Sequence, residues 1–139
     1  RATVVTHSPT VAVALAQHAH IDILMLGGRL YRHSMVNVGA AVIDAAAHYR
    51  ADLFFMGVTG VHPQAGLSTG DGEEADVKRA LSARAAETVV LASSEKLLAA
   101  SAFVIAPVNT LAALVVPRGT AAATVRGFKK LGVSVITAA

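Results

Sequence analysis

The segment Glu73–Ala92, EEADVKRALSARAAETVVLA, indicates the fold class most clearly. Its first part, Glu73–Arg84, places Val77 and Leu81 one helical turn apart, and its three early acidic residues suit the positive end of a helix dipole. Its second part, Thr88–Ala92, is a short and almost wholly apolar run, which is typical of a parallel strand covered on both faces. A helix that leads into such a strand is the repeating unit of an α/β domain.

The same alternation of strand and helix continues outward in both directions from this segment. The apolar runs predict strands at Thr3–Thr6, Ile21–Leu26, Leu53–Gly57, Thr88–Ala92, Leu111–Val116 and Val133–Thr137. Helical spacing predicts helices at Ser8–Gln17, Gly39–Arg50, Glu73–Arg84 and Ala121–Leu131. We therefore expect an α/β fold with a mostly parallel sheet flanked by helices.

Capping residues and apolar spacing refine these helices. Ser8 followed by Pro9 predicts an N-cap and a first helical residue, Thr120 is expected to cap the last helix, and Gly132 is expected to end it. Val11 and Leu15 are expected to share one face of the first helix. The side chains of the other helices expected to face inward are Val42, Ile43, Ala46, Tyr49, Val77, Leu81, Val125 and Phe128.

Length and composition exclude several classes of protein. The chain has 139 residues, of which 54% are hydrophobic and 15% charged, and this balance excludes intrinsic disorder and fits one domain. It has no cysteine, which excludes a disulfide scaffold, a thiolate metal site and a cysteine nucleophile. Alanine supplies 29 of the hydrophobic residues, and the longest apolar stretch, Leu97–Val108, is too short to cross a membrane.

The charge pattern does not indicate a nucleic-acid surface on this chain. The net charge is +3, but the basic residues are scattered, with adjacent pairs only at Lys78-Arg79 and Lys129-Lys130. Nucleic-acid binders usually concentrate basic residues on one face and add aromatic side chains for stacking. Aromatic residues make up only 4% of this chain, so its basic character alone identifies no partner.

The first candidate site is the loop Thr6-His7-Ser8, between a predicted strand and a predicted helix. In open α/β sheets, ligands bind beyond the carboxyl ends of the strands. Hydroxyl groups and free backbone N–H groups at such a turn can hold an anion. If this loop is judged alone, a simple helix cap at Ser8 is the favoured interpretation.

Three further loops follow predicted strands. Gly27-Gly28-Arg29 could let the backbone approach a ligand or form a plain turn. The long stretch from Gly57-Val58-Thr59-Gly60 to Gly70 could be a functional loop or a surface loop. In Ser93-Ser94-Glu95-Lys96, Lys96 could reach a phosphate or remain solvated.

Other chemical motifs are lacking in the sequence. The glycines form no dinucleotide-binding fingerprint, and there is no Walker loop and no nucleophile elbow. His18 and His20 are two residues apart, and the remaining histidines lie in separate segments, so no spacing is typical of a zinc site. We expect neither a metal nor a cofactor, and we single out His7 among the histidines because of its loop.

Taken in order, the loops resemble those of the C-terminal sensor domain of DeoR-type bacterial transcriptional regulators. The resemblance covers nearly the whole chain. The residues that carry it are Thr6-His7-Ser8, Leu26-Gly27-Gly28-Arg29 with Gly39, Asp52-Leu53-Phe54-Phe55-Met56-Gly57, Gly66-Leu67-Ser68-Thr69, Glu74-Ala75-Asp76-Val77-Lys78-Arg79 and Leu131-Gly132-Val133-Ser134-Val135-Ile136.

The resemblance implies a fold similar to ribose-5-phosphate isomerase and glucosamine-6-phosphate deaminase. It also implies a cytoplasmic domain that binds a phosphorylated sugar or related metabolite, forms a dimer or tetramer, and controls a separate DNA-binding domain. The implied ligand-binding residues are Thr6, His7, Ser8, Gly27, Gly28, Gly57, Gly60, Glu74, Lys78 and Lys96. Thr6 and Ser8 would bind phosphate, Lys78 and Lys96 would add charge, and Glu74 would accept hydrogen bonds from sugar hydroxyls.

The chain departs from the family pattern in three respects. The winged helix-turn-helix of the family is absent from residues 1–139, so we expect DNA contact only through a separate N-terminal domain. The family's first sensor strand, with its Gly-Thr-Thr phosphate loop, is expected to precede Arg1, which makes 1–139 an N-terminally truncated sensor domain with an exposed apolar edge. Ser93 replaces an aspartate that is usual in the family, and Leu98 replaces a glycine.

Two alternatives to the sensor function remain. A sugar-phosphate isomerase needs a carboxylate base, and the isomerases carry an acidic pair after the strand that corresponds to Leu53–Gly57. Here that place reads Val58-Thr59-Gly60-Val61, and only Glu74 remains near the position of the isomerase's helix-borne acid. The sequence therefore favours binding over turnover. The other alternative is an oligomerisation domain that has lost its ligand.

Overall fold

The structure is a computed structural model that describes all 139 residues. The chain divides into two compact units, Arg1–Tyr49 and Arg50–Ala139. No helix has both the length and the apolar character that crossing a membrane requires.

The first unit combines a pair of parallel strands with a short hairpin. Its elements are β1 (Ala2–Thr6), α1 (Pro9–Leu15), β2 (Ile21–Met25), β3 (Arg29–Tyr31), β4 (Val36–Val38) and α2 (Ala40–Ala46). β1 pairs with β2 in parallel, and β3 pairs with β4 in an antiparallel hairpin. The hairpin was not predicted, because strands of three residues are too short to show an alternating pattern.

The core of the first unit is small. Its fully buried apolar side chains are Leu26, Val38, Val42 and Ala46. α1 buries none of its residues, and the exposed fraction of Val11 is 42%. α2 ends at Ala46, before Tyr49, and the inward orientation predicted for Tyr49 is wrong.

The second unit is larger and contains two sheets. Its strands and helices are β5 (Ala51–Phe55), β6 (Gly60–His62), β7 (Gly66–Thr69), α3 (Gly72–Ala83), β8 (Ala85–Leu91), β9 (Phe103–Ala106), β10 (Ala113–Val116), α4 (Ala122–Lys129) and β11 (Val135–Thr137), with short 3-10 turns at Ser94–Lys96 and Val108–Thr110. The parallel sheet has the order β11-β10-β8-β5. The antiparallel sheet has the order β6-β7-β9.

This architecture confirms the α/β class with a mostly parallel sheet and flanking helices. The predicted segments are present, with ends shifted by at most four residues; for example, the predicted strand Leu53–Gly57 is Ala51–Phe55. The long loop expected between Gly57 and Gly70 is instead the β6–β7 hairpin. β9 was also missed, since its apolar residues merge with a longer apolar stretch in the sequence.

Two helix starts differ from the prediction. The N-cap of α3 is Asp71, whose carboxylate accepts a hydrogen bond from the backbone N–H of Glu74 at 3.0 Å. Thr120 does not cap α4, because its hydroxyl donates to the carbonyl of Pro117 at 2.7 Å; the N-cap position is Ala121. The predicted end of this helix is close to the observed one, and Gly132 follows it with a φ of +82°.

One face of the parallel sheet carries the core of the second unit. Val90, Leu114, Val116 and Phe128 are buried there, together with apolar residues of the antiparallel sheet and Ala75 of α3. Phe128 from α4 has no exposed surface. Burial of this face provides the hydrophobic free energy that holds α3 and α4 on the sheet.

The opposite face of the parallel sheet is open, which differs from the expected cover on both faces. Phe55 pairs with Val89, and Leu91 pairs with Val115, so these side chains share a face. The exposed members of this face are Leu53 (41%), Phe55 (65%), Leu91 (55%) and Ile136 (51%). A strand can be equally apolar whether its second face is covered or open. The sequence therefore could not reveal the open face of this sheet.

Candidate functional site

The loop Thr6-His7-Ser8 is held in place by backbone hydrogen bonds from two other segments of the first unit. The N–H of Leu26 donates to the carbonyl of Thr6 at 2.8 Å, and the N–H of Asn37 donates to the carbonyl of His7 at 2.7 Å. The N–H of Ser8 donates to the hydroxyl of Thr6 at 3.1 Å. Thr6 and Ser8 are buried, so this loop is a fixed turn of defined shape.

Asn37 is a structural centre of this loop that sequence reasoning missed. It is 8% exposed, and its side-chain amide donates to the carbonyl of Leu26 at 2.9 Å while its backbone N–H binds His7. Asn37 therefore ties the ends of β1 and β2 to the β3–β4 hairpin. A polar residue between two valines in Val36-Asn37-Val38 was the one available signal in the sequence.

The hydroxyl of Ser8 is engaged inside the protein. It accepts a hydrogen bond from the N–H of Val11 at 3.4 Å, which confirms the predicted N-cap of α1. It also lies 2.9 Å from the hydroxyl of Thr10 and donates to the carbonyl of Met35 at 3.3 Å. Capping is thus an established role of Ser8, whereas contact with a ligand remains a prediction.

The glycine pairs of the candidate site divide into two kinds. A Cβ atom on Gly28 would lie 2.8 Å from the carbonyl oxygen of Val38, and one on Gly60 would lie 2.5 Å from that of Ala99. These two glycines are needed for close packing of the chain on itself. A Cβ atom on Gly27 or Gly57 would meet nothing within 4 Å, so the structure gives these two glycines no internal packing role.

In the second unit, the loops that follow β5 and β8 are joined to each other. The N–H of Leu98 donates to the carbonyl of Val61 at 2.7 Å. The hydroxyls of Thr59 and Ser101 lie 2.6 Å apart. These bonds bring the loop that begins at Gly57 and the segment after Lys96 together.

Lys96 lies at the end of the short turn Ser94–Lys96 and is partly buried. The neighbouring Glu95 accepts a hydrogen bond from the hydroxyl of Ser93 at 2.5 Å. This bond, together with a backbone bond and the charge of Lys96, lowers the pKa of the Glu95 carboxyl below its ordinary value. Ser93 stands where the family that this sequence resembles usually has an aspartate, and its hydroxyl donates to the carboxylate of Glu95.

Glu74 and Lys78 form a buried ion pair on α3. The ammonium of Lys78 donates to Oε1 of Glu74 at 2.8 Å, and the hydroxyl of Thr69 donates to Oε2 at 3.2 Å. Glu74 is 4% exposed, Lys78 5% and Thr69 not at all. The structure thus brings two of the predicted site residues into direct contact and adds Thr69, which was not among them.

Leu98 has a left-handed backbone, with φ +66°, and its side chain is 52% exposed. This conformation costs a leucine roughly 1–2 kcal/mol, whereas glycine adopts it without strain. This left-handed backbone therefore explains why the family pattern has a glycine at this position. The bond from the N–H of Leu98 to Val61 helps to hold the strained turn in place.

Leu98→Gly is expected to raise the free energy of unfolding by about 1 kcal/mol, because it relieves this backbone strain. Urea unfolding followed by circular dichroism measures the change. Leu98→Ala serves as the control, since alanine keeps the strain and also loses the side chain. A Leu98→Gly protein no more stable than the Leu98→Ala protein would show that the backbone here is unstrained.

No group of three or more histidine, aspartate or glutamate side chains lies close enough together to hold a metal ion. His62 accepts hydrogen bonds from the N–H groups of Gln64 and Ala65 at 3.1 Å, which is a turn-forming role. His33 lies against the ring of Tyr31 with 6.0 Å between ring centroids.

The chain is similar to a known family of protein domains over most of its length. The profile of the family described as the DeoR C-terminal sensor domain matches residues 1–118. The chain is 30% identical over 131 residues to a protein of Escherichia coli O157:H7 named as an aga operon transcriptional repressor, with 94% of this chain and 49% of that protein covered. It is 30% identical over 116 residues to the HTH-type transcriptional repressor GlcR of Bacillus subtilis strain 168, with 84% and 45% covered.

A third relative is the glycerol-3-phosphate regulon repressor of Haemophilus influenzae, which is 28% identical over 93 residues, or 67% of this chain and 36% of that protein. The chain spans about half the length of the first two relatives. The match begins at Arg1 and covers β1 to β10, so it includes every loop of the candidate site.

Proposed function

Because the chain belongs to the DeoR C-terminal sensor domain family, we propose that it binds a phosphorylated sugar or a related metabolite and thereby controls DNA binding by a separate domain. The observation that carries this proposal is the family match over residues 1–118, together with relatives named as transcriptional repressors. One relative is named for a glycerol-3-phosphate regulon, which supports a phosphorylated effector.

We also propose that residues 1–139 act within a longer regulator. The first two relatives are about twice as long as the matched segment, and the family is described as a C-terminal domain, which supports a winged helix-turn-helix on the N-terminal side. A regulator of this kind works in the bacterial cytoplasm, where its operator DNA is.

Each unit contains proposed ligand-binding residues. In the first unit, Thr6, His7 and Ser8 would bind phosphate with backbone N–H groups and hydroxyls. Gly27 and Gly28 adjoin this loop, and the absence of packing around a Cβ on Gly27 supports a ligand-facing position. In the second unit, the proposed ligand-binding residues are Gly57, Gly60, Glu74, Lys78 and Lys96.

The ammonium groups of Lys78 and Lys96 would supply positive charge to the phosphate. A charged hydrogen bond contributes about 1.5–3 kcal/mol, and a phosphate can accept several of them. The Lys78 ammonium has three donors, of which Glu74 uses one, and Lys78 is 5% exposed.

The signal would be a shift between two arrangements of an oligomer, a dimer or tetramer. An effector changes DNA affinity only as far as it binds the two arrangements with different affinities, and each tenfold difference corresponds to about 1.4 kcal/mol. The open apolar face with Leu53, Phe55, Leu91 and Ile136 supports association, because exposed apolar patches mark interaction surfaces.

The structure of the Glu74 carboxylate favours binding over isomerase chemistry. A general base must reach the proton it removes, and both Glu74 oxygens are engaged, one by Lys78 and one by Thr69. The loop Val58-Thr59-Gly60-Val61 has no carboxylate. We therefore propose that the domain is not an enzyme, and an assay for interconversion of aldose and ketose phosphates tests this directly.

The regulatory function is tested by measuring operator DNA binding of the full regulator by fluorescence anisotropy. We expect at least one phosphorylated sugar to weaken DNA binding about tenfold or more, and the corresponding free sugar to leave it unchanged. Equal DNA affinity with and without every phosphorylated sugar would contradict the proposed function. Turnover of a phosphosugar by the same protein would support the isomerase instead.

A further inference from the structure

The antiparallel sheet β6-β7-β9 has two outer strands, and their outer edges are closed in different ways. Beside β6, the N–H of Leu98 donates to the carbonyl of Val61 at 2.7 Å, and Leu97 forms a parallel bridge with Val61. That edge is therefore covered by backbone. The outer side of β9 receives a side chain instead, because Nη1 of Arg79 donates to the carbonyl of Val104 at 2.7 Å.

The sequence of β9 is one that favours pairing with strands of other molecules. β9 is Phe103–Ala106, FVIA, and the surrounding stretch Leu97–Pro117 contains no charged residue. Phe103 is 45% exposed and Val104 56%. Proteins usually protect such an edge with a charge or a proline in the strand itself. The four residues of β9 include neither, so a protecting charge has to come from another element.

Arg79 brings a positive charge to this edge from α3. Its guanidinium binds Asp76 through Nη2 and the carbonyl of Val104 through Nη1, so the planar group is held from two sides. The side chains of Arg79 and Asp76 are 46% and 57% exposed, and an ion pair this exposed contributes little to stability. Its structural effect is to orient Arg79 toward the edge of β9.

We propose that Arg79 closes the outer edge of β9 against the addition of another strand, and that the strand it excludes is β9 of a second copy of this chain. A second copy is the matching partner because it presents the same uncharged apolar edge, and two identical edges can pair in an antiparallel arrangement about a twofold axis. Without the guanidinium, the carbonyl of Val104 is open to an N–H group of the incoming strand. This role of Arg79 is independent of effector binding.

The test compares Arg79→Met with the wild type in the full regulator, by sedimentation velocity over a range of protein concentrations. Methionine keeps an apolar stem of similar length and removes the guanidinium. We expect the variant to associate further as concentration rises, to a weight-average mass about twofold or more above that of the wild type. Arg118→Met is the matched control, since it removes the same charge from an exposed arginine after β10, and its mass should equal that of the wild type.

Hydrogen exchange identifies the surface through which the variant associates. In the associated Arg79→Met protein, we expect the amides of β9 to exchange about tenfold or more slowly than in the wild type, because an added strand binds the outward N–H groups. Val104→Lys places a charge in the edge strand itself and is expected to return Arg79→Met to the wild-type mass. The exchange measurement uses the single variant, so it decides the question even if the double variant does not fold.

Three results would overturn this role of Arg79. The first is a wild-type mass for Arg79→Met at every concentration. The second is equal association of Arg79→Met and Arg118→Met, which would make the loss of a charge the cause. The third is association with unchanged exchange in β9, or association that persists after Val104→Lys, since the contact would then lie elsewhere. Circular dichroism and urea unfolding show that each variant compared is folded.

Discussion

Glu74→Ala is expected to lower the free energy of unfolding by about 3–5 kcal/mol, which is the cost of leaving one partner of a buried ion pair alone. Lys78 is 5% exposed, and its ammonium lies 2.8 Å from Glu74, so without the carboxylate a positive charge would remain in the protein interior. The substitution also removes the acceptor of the Thr69 hydroxyl. Urea unfolding of the two proteins at neutral pH measures the difference.

The matched control removes both charges together. Glu74→Leu combined with Lys78→Met replaces the pair by apolar residues of similar volume, and we expect a stability equal to the wild type or up to about 4 kcal/mol higher. Glu74→Ala at near wild-type stability would show that the pair is solvated in solution. A double variant as unstable as the single one would show that the helix needs the charges themselves.

Phe128→Ala is expected to lower the free energy of unfolding by about 3–5 kcal/mol as well, through loss of buried apolar surface and the cavity that remains. Phe128 is the largest side chain without exposed surface, and it joins α4 to the core of the second unit. Lys129→Ala, on the exposed side of the same helix, is the control and is expected to stay within about 0.5 kcal/mol. Thermal and urea unfolding of the three proteins give the comparison, and a similar loss in both variants would contradict the assigned orientation of α4.

Local patterns in the sequence were sufficient for the helices and parallel strands. Ser8-Pro9 identified the start of α1, and the four-residue spacing of Glu74 and Lys78 places them on one helix face, where the structure pairs them. The order of the loops identified the family. The helix start and the ion pair can be predicted from the sequence because they depend on residues within one or two helical turns of each other.

Features that depend on distant partners could not be predicted. Asn37 binds His7 and Leu26, which lie 30 and 11 positions away, and nothing in its own segment indicates those partners. The β6–β7 hairpin is too short for an alternating pattern, and the open face with Phe55 and Leu91 depends on what packs against the sheet. The left-handed backbone of Leu98 was visible only indirectly, through the glycine that the family pattern places there.

We propose above that this domain senses a phosphorylated metabolite. Calorimetric titration of the full regulator against a panel of phosphorylated sugars, with each free sugar as control, tests it most directly. We expect saturable binding of at least one phosphorylated sugar with one site per chain, and no comparable binding of its free form. Absence of binding heat with every phosphorylated sugar, or equal affinity for the free sugar, would contradict it.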